Sequence, residues 1–152
     1  MTKFIGFAGS LRTGSYNAAL LRTAHRLMLL GATLDIATIK GIPLYDGDVE
    51  AAEGMPPAVD ALKKLIVSAA DGILIVTPEY NNSIPGVLKN AIDWMSRPSK
   101  DVGDVFKQRP VAVIGASPGG FGTILAQDAW LPVLRTLGTR PYFGGRLMVS
   151  CA

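Results

Sequence analysis

Short apolar runs alternate with longer segments of helical periodicity along this chain, and this alternation restricts the possible fold more than any other feature. The runs that predict strands lie at 3–8, 34–39, 72–77, 110–116 and 140–150. The segments that predict helices lie between them, at 15–30, 56–69, 86–96 and 122–137. Such alternation predicts one α/β domain over residues 1–152, with a parallel sheet, right-handed crossovers and helices on both faces.

Composition and charge narrow the class of protein further. Apolar residues make up 49% of the 152 residues, which excludes an intrinsically disordered chain. The formal net charge is +3, but the basic residues form no stripe of the kind that nucleic-acid-binding proteins carry. We therefore expect no nucleic-acid partner, and the mildly basic balance favours a small anionic ligand such as a phosphate.

Cysteine usage and hydropathy indicate the compartment. The single cysteine, Cys151, cannot form an internal disulfide, which is typical of a reducing environment. The apolar run Phe4–Ala8 is too short for a signal peptide. The longest apolar stretch, Leu65–Val76, is interrupted by Asp71 and is shorter than the roughly 20 residues that a membrane span requires. We expect a soluble, cytoplasmic protein with no membrane partner.

Ligands of parallel α/β sheets bind at the carboxyl ends of the strands, so the loops after the first, third and fourth strands are the ones to inspect. In the first loop, Gly9 and Gly14 permit tight turns, and the start of the next helix supplies free N–H groups. The polar side chains available there belong to Ser10, Arg12, Ser15 and Asn17. This loop predicts a phosphate site; the alternative is an ordinary strand-to-helix turn with Ser15 as the N-cap.

Two well-known phosphate loops do not fit this segment. The dinucleotide pattern G-x-G-x-x-G is absent, because Gly6, Gly9 and Gly14 have the wrong spacing. The P-loop pattern matches from Gly9 to Gly14 but then has Ser15 and Tyr16 in place of its lysine and hydroxyl residue. Triphosphate chemistry is thereby disfavoured, and a terminal monophosphate is the expected ligand.

The second and third loops suit a flat heterocycle. Pro78 and Pro85 stiffen the polar segment 77–86, which fixes the directions of its backbone groups. Within it, Glu79 and Tyr80 have alternative roles as a solvated carboxylate and a half-buried packing residue. Three glycines in the segment 116–123 let a ligand approach the backbone closely, unless the segment is merely a flexible connection. His25 and Cys151 are interpreted as structural, with no partners at metal-ligand spacing.

Two segments carry a resemblance to a known family. Residues 9–17 read GSLRTGSYN, and residues 77–94 read TPEYNNSIPGVLKNAIDW. Together they resemble the NAD(P)H-dependent FMN reductase family, whose relatives include bacterial quinone, chromate and azo-dye reductases, and the likeness spans nearly the whole chain. The resemblance implies a flavodoxin-like, doubly wound five-stranded parallel sheet of order 2-1-3-4-5.

The resemblance also implies a set of FMN-binding residues. They are Ser10, Arg12, Ser15, Tyr16 and Asn17 in the first loop, Pro78, Glu79, Tyr80 and Asn81 in the second, and Ser117, Gly119 and Gly120 in the third. Hydride would pass from NAD(P)H to FMN and then to a quinone, free flavin, an azo compound or an oxidised metal ion such as chromate. No side chain is expected as an essential acid or base, with Glu79 the one weak candidate, and no metal is expected. Because dimers and tetramers are usual in the family, the resemblance also implies a homodimer or homotetramer.

The sequence departs from the family pattern in two places. Asn82 stands where many relatives have an aromatic residue or glycine, and the chain ends at Ala152, directly after the fifth predicted strand. We therefore expect a fold that lacks the last C-terminal helix and leaves part of one sheet face uncovered. Two other functions stay open. One is a flavodoxin-like electron carrier, disfavoured because such carriers tend to be acidic; the other is a non-catalytic interaction domain, which would bind no flavin.

Overall fold

A parallel sheet forms the centre of the computed structural model, which describes all residues from 1 to 152. Its strands are β1 (Thr2–Ala8), β2 (Ala32–Ala37), β3 (Gly72–Val76), β4 (Pro110–Ala116), β5 (Arg140–Pro141) and β6 (Met148–Val149). The order is β2-β1-β3-β4-β5, and β6 also pairs with β4. Every pairing is parallel, so the predicted sheet order and α/β class are confirmed.

Six α-helices surround the sheet. They are α1 (Tyr16–Arg26), α2 (Gly47–Glu53), α3 (Pro57–Ala69), α4 (Gly86–Met95), α5 (Val102–Phe106) and α6 (Ile124–Thr136), with a 3₁₀ turn at Ser99–Asp101. The sequence predicted four of them and missed α2 and α5. Helix α2 buries no residue, so it has no apolar stripe to detect. The Asp46 side chain starts it instead, by accepting a hydrogen bond from the Asp48 N–H at 2.8 Å.

The main core lies on one face of the sheet. Ile5 and Ile75, from neighbouring central strands, pack there against α3, α4 and α6. Trp94 of α4 and Trp130 of α6 are fully buried in this core. On the opposite face, Leu21 of α1 packs with Leu34 and Val76 in a smaller cluster. The two clusters hold β1, β3 and β4 rigidly, and with them the loops that follow these strands.

The face that carries α1 is only partly covered. An apolar groove of about 540 Å³ runs along it, lined by Phe4, Leu74 and Ala112 of the sheet and by Met28 after α1. The last helix along the described residues is α6, which ends at Thr136.

The predicted fifth strand, 140–150, is wrong as a continuous element. Only Arg140–Pro141 pairs with the start of β4, and Met148–Val149 pairs with its end. Between them the chain leaves the sheet, where Gly144 and Gly145 offer no side chain to pack and weaken a strand. Tyr142 and Phe143 are correspondingly exposed.

Candidate functional site

The loops after β1, β3 and β4 meet around one cavity of about 300 Å³ at the carboxyl edge of the sheet. Of the residues predicted from sequence, those that line it are Ser10, Arg12, Ser15, Tyr16, Asn17, Pro78, Glu79, Tyr80 and Ser117. Asn81, Gly119 and Gly120 do not line it. Ala116 and Pro118 line it as well, and their position beside Ser117 is the signal by which sequence reasoning could have included them.

Ser15 begins α1. Its hydroxyl accepts a hydrogen bond from the Ala18 N–H at 3.1 Å, so the predicted N-cap is present, at a residue that is nearly fully buried. The hydroxyl of Ser10 is a weak acceptor for the Arg12 N–H at 3.4 Å. The N-capped turn and a phosphate site are therefore compatible. The Ser15 hydroxyl satisfies only the Ala18 N–H, and the other N–H groups of the first turn of α1 stay available to a ligand in the cavity.

Arg12 is the cation of the cavity. One guanidinium nitrogen donates to the Gly14 carbonyl at 2.9 Å, and the guanidinium carbon lies 5.6 Å from the centre of the Tyr16 ring. These contacts hold the side chain in place but use only part of its five N–H donors. Arg12 forms no ion pair with a carboxylate, so its charge is available to an anion.

Asn17 joins the first loop to the third. Its amide nitrogen donates to the Ala116 carbonyl at 2.9 Å, and its amide oxygen accepts from the Ala116 N–H at 2.9 Å. Asn17 is 3% exposed, so both bonds are shielded from water. The predicted ligand-binding amide is thus largely committed to the backbone at the end of β4, which fixes the separation of α1 from that loop.

A tight turn shapes the second loop. Tyr80 and Ser83 form two backbone hydrogen bonds, of 3.3 and 3.1 Å, across Asn81 and Asn82. Both asparagines have positive φ, 51° and 58°, a conformation that asparagine tolerates better than most residues. Asn81 and Asn82 are exposed, and their contribution in the structure is this turn, which presents Tyr80 to the cavity.

Glu79 connects the second loop to α6. One carboxylate oxygen accepts hydrogen bonds from the N–H groups of Leu125 and Ala126, both at 2.9 Å. Thr123 occupies the N-cap position but makes no capping bond with its side chain. Glu79 takes over that function, and its negative charge lies at the positive end of the helix. It is therefore a helix-capping residue rather than the solvated carboxylate considered from sequence.

The third loop is held from two sides. Gly115 has no room for a side chain, because a Cβ there would lie 2.2 Å from both Thr123 Oγ1 and the Thr77 carbonyl. On the other side, the last residues of the chain donate to the loop: the Cys151 N–H to the Gly119 carbonyl and the Ala152 N–H to the Ser117 carbonyl, both at 3.1 Å. Sequence reasoning gave this C-terminal segment no role near the site, and no local pattern marks it.

The residues with shifted ionisation lie outside the cavity. The Arg97 guanidinium donates to Glu50 at 2.9 Å and lowers the pKa of that carboxyl. The Tyr45 hydroxyl donates to the same carboxylate, which raises the pKa of Tyr45. Elsewhere, on α1, the His25 ring forms a hydrogen bond with the Leu34 carbonyl at 2.5 Å, a contact that suits the structural role expected of it.

No three His, Cys, Asp or Glu side chains lie close enough together to hold a metal ion. None of the helices combines the length and the apolar character needed to cross a membrane.

Residues 2–152 match the family described as NADPH-dependent FMN reductase. The chain is 47% identical over 150 residues to an NAD(P)H-dependent FMN reductase of Pseudomonas aeruginosa, covering 99% of this chain and 78% of that protein. It is 51% identical over 90 residues to a quinone reductase of Escherichia coli K12, covering 59% of this chain and 47% of that protein's length.

A solved structure matches over most of the fold. The flavoenzyme NAD(P)H:(acceptor) oxidoreductase FerB from Paracoccus denitrificans superposes with a TM-score of 0.84 at 35% identity, covering 96% of this chain and 78% of that one. An azoreductase from Bacillus anthracis has a TM-score of 0.64 at 16% identity, covering 99% of this chain and 86% of that one, and that likeness concerns the fold alone.

Proposed function

The chain belongs to the NADPH-dependent FMN reductase family, whose members use FMN with NAD(P)H as co-substrate, and we propose that it oxidises NAD(P)H through bound FMN and reduces quinones. The observation that carries this proposal is the convergence of the three predicted loops on one cavity. Free flavin, azo compounds and chromate are further acceptors that we propose on the family resemblance.

The residues of the cavity fit FMN. The N–H groups of Ser10, Leu11, Thr13 and Gly14 donate to no group of the protein. Together with the unpaired charge of Arg12, they form a set of donors suited to a phosphate. Pro78 and Tyr80 line the cavity on the side of the second loop, where the rigid backbone at Pro78 suits the edge of a flat ring.

Each part of the site then has a defined task. Ser10, Arg12 and Ser15 would hold the phosphate; Pro78, Tyr80 and Ser117 would border the ring. Asn17 and Glu79 keep the three loops at fixed separation through their bonds to Ala116 and α6. Bound FMN supplies the chemistry, by accepting hydride from NAD(P)H and passing electrons to the acceptor. We propose that the protein contributes orientation, since one carboxylate oxygen of Glu79 already accepts two N–H donors of α6 and so suits a positioning role.

A visible spectrum under anaerobic conditions tests the proposal. The purified chain is mixed with FMN, freed of unbound flavin and titrated with NADPH and then NADH. Loss of the flavin absorbance with a nicotinamide, and its return on adding a quinone, is the expected result. Bound flavin that neither nicotinamide bleaches would replace the proposal with the electron carrier. If the chain binds no flavin, the proposal is wrong and the non-catalytic interaction domain is the function that remains.

A matched pair of variants tests the phosphate loop. Arg12→Gln removes the cation of the cavity, whereas Arg26→Gln removes an exposed, unpaired cation at the other end of α1. We expect the Kd for FMN to rise about tenfold or more in the first variant, because a hydrogen bond to a charged group contributes roughly 1.5–3 kcal/mol. The second variant should bind FMN as the unchanged chain does. Equal affinities in both variants would contradict the assignment of Arg12.

The assembly and compartment are proposed as well. We propose a single FMN-binding domain over residues 1–152 that forms a homodimer or homotetramer, as members of the family do. We propose a cytoplasmic location, because the exposed and unpaired thiol of Cys151 suits a reducing compartment. Light scattering of the purified chain measures its mass in solution, and a monomer would contradict the first of these statements. Fractionation of the source cells tests the location, and recovery outside the cytoplasm would overturn it.

A further inference from the structure

A second cleft adjoins the first loop on the side of β2. It has a volume of about 380 Å³ and lies between the loop after β1, one side of α1 and the carboxyl end of β2. Its polar lining comes from Ser10, Arg12, Thr13, Arg22, Thr38 and Lys40. Ser10 and Arg12 also line the proposed FMN cavity, so the two cavities share a wall.

The cleft is positively charged and uncompensated. Arg12, Arg22 and Lys40 contribute three cations, and no aspartate or glutamate lines the cleft. None of the three forms an ion pair with a carboxylate, so what sets the cleft apart is that three unpaired cations line one cavity. The side chains of Arg22 and Lys40 donate to no protein group either, so this cleft retains its full attraction for an anion.

The geometry relates the cleft to the proposed reaction. Because β1 lies between β2 and β3 in the sheet, the carboxyl ends of β2 and β3 are two strand spacings apart, about 10 Å. A dinucleotide whose nicotinamide lies over the ring site beside β3 can span this distance. A dinucleotide that extends from the ring site toward β2 passes the loop that carries Arg12 and brings its adenosine end to the cleft.

We propose that this cleft binds the 2′-phosphate of NADPH through Arg22 and Lys40, and that the chain therefore prefers NADPH to NADH. The two nucleotides differ only in that phosphate, which is a dianion near neutral pH and matches the unpaired cations of the cleft. The proposal rests on the proposed NAD(P)H oxidation. Arg12 lines both cavities, and because its charge is assigned to the FMN phosphate, Arg22 and Lys40 are the cations left for the nucleotide phosphate.

Steady-state kinetics on the FMN-loaded chain test the role in discrimination. Arg22→Gln and Lys40→Gln each remove one cation, and the double variant removes both; Arg26→Gln is the control, since Arg26 lies one turn further along α1 and outside the cleft. We expect the KM for NADPH to rise about threefold in each single variant and about tenfold in the double variant, as is usual for exposed charge pairs. The KM for NADH and the kcat with either nucleotide should stay unchanged. Equal changes for both nucleotides, no change, or the same change in Arg26→Gln would overturn the proposal.

A binding measurement separates this proposal from the activity. Adenosine 2′-monophosphate and adenosine 5′-monophosphate are titrated into the FMN-loaded chain by calorimetry. Tighter binding of the 2′ isomer, lost in the double variant and competitive with NADPH, is the expected result. Equal affinities for the two isomers would show an unspecific anion site and overturn the proposal. So would an affinity for inorganic phosphate as high as that for adenosine 2′-monophosphate. If the chain oxidises neither nucleotide, the proposed function fails, and the isomer titration still decides whether the cleft recognises a 2′-phosphate.

Discussion

The Glu79 carboxylate accepts a hydrogen bond from the Ala126 N–H at 2.9 Å and so fastens the loop after β3 to the first turn of α6. The same oxygen accepts from the Leu125 N–H at the same distance. Two of the three loops around the cavity are thereby held by one side chain. Changes at Glu79 are expected to act on the position of these loops rather than on a proton transfer.

Glu79→Ala is expected to lower both stability and FMN affinity. The variant leaves the start of α6 without its cap, and loss of a cap costs about 0.5–2 kcal/mol. Glu79→Gln keeps an oxygen acceptor and should recover most of the loss. Urea unfolding gives the stability, and quenching of FMN fluorescence gives the affinity.

Glu53→Ala serves as the control for that series, because Glu53 is an exposed carboxylate at the end of α2. A Glu79→Gln variant that is stable and binds FMN but no longer oxidises NADPH would contradict the positioning role and restore Glu79 as a catalytic acid or base.

Asn17→Ala is expected to lower the free energy of unfolding more than a substitution at an exposed position of the same loop. It leaves the N–H and carbonyl of Ala116 without their partners in a buried place, and each unsatisfied buried group costs about 1–3 kcal/mol. The free energy of unfolding should fall by at least 2 kcal/mol, roughly the lower sum of these costs. Thr13→Ala, in the exposed part of the same loop, should change it by less than about 0.5 kcal/mol. Similar values for the two variants would show that water replaces the Asn17 amide at little cost.

These contacts mark the limit of sequence reasoning for the site. The alternation of strands and helices placed the three loops at one edge, because the carboxyl ends of parallel strands share that edge. The partners inside the site were not predictable. Glu79 and Ala126 are 47 residues apart, and Asn17 and Ala116 are 99 residues apart. A short-range sequence pattern therefore cannot predict either hydrogen bond.

The fold shows the same limit. Strand β4 was predicted with its observed bounds, Pro110–Ala116, because a continuous apolar run between polar segments defines it. Helix α2 was missed since none of its residues is buried. The region 140–150 was predicted as one strand, although the glycines at 144 and 145 interrupt it; pairing with the two ends of β4, a tertiary property, decides which residues stay in the sheet.

Gly115→Ala is expected to destabilise the end of β4. The added Cβ would lie 2.2 Å from Thr123 Oγ1 and from the Thr77 carbonyl, and the second of these is backbone that cannot rotate away. Overpacking of this kind costs about 1–3 kcal/mol. Gly103→Ala is the control, because nothing lies within 4 Å of a Cβ there. In thermal unfolding the Tm should fall for the first variant only; an unchanged Tm in Gly115→Ala would mean that β4 shifts freely.

The bond between Arg97 and Glu50 predicts how stability depends on pH. Arg97, donating at 2.9 Å, is the main cause of the lowered pKa of Glu50; burial opposes it, and the Tyr45 hydroxyl adds to it. A carboxyl whose pKa is lower in the folded state contributes stability that is present above its unfolded pKa of about 4.3 and is lost as the pH falls through the folded value.

The free energy of unfolding should therefore decrease on acidification below about pH 5, and Glu50→Gln should remove part of that decrease. Glu53→Gln, three residues along the same helix, should leave the slope as it is, because Glu53 forms no ion pair. Urea titrations at a series of pH values between neutral and acid measure both slopes. Parallel profiles for the unchanged chain and Glu50→Gln would show that the Glu50–Arg97 bond contributes nothing to folding, since the carboxyl would then titrate alike in the folded and unfolded chains.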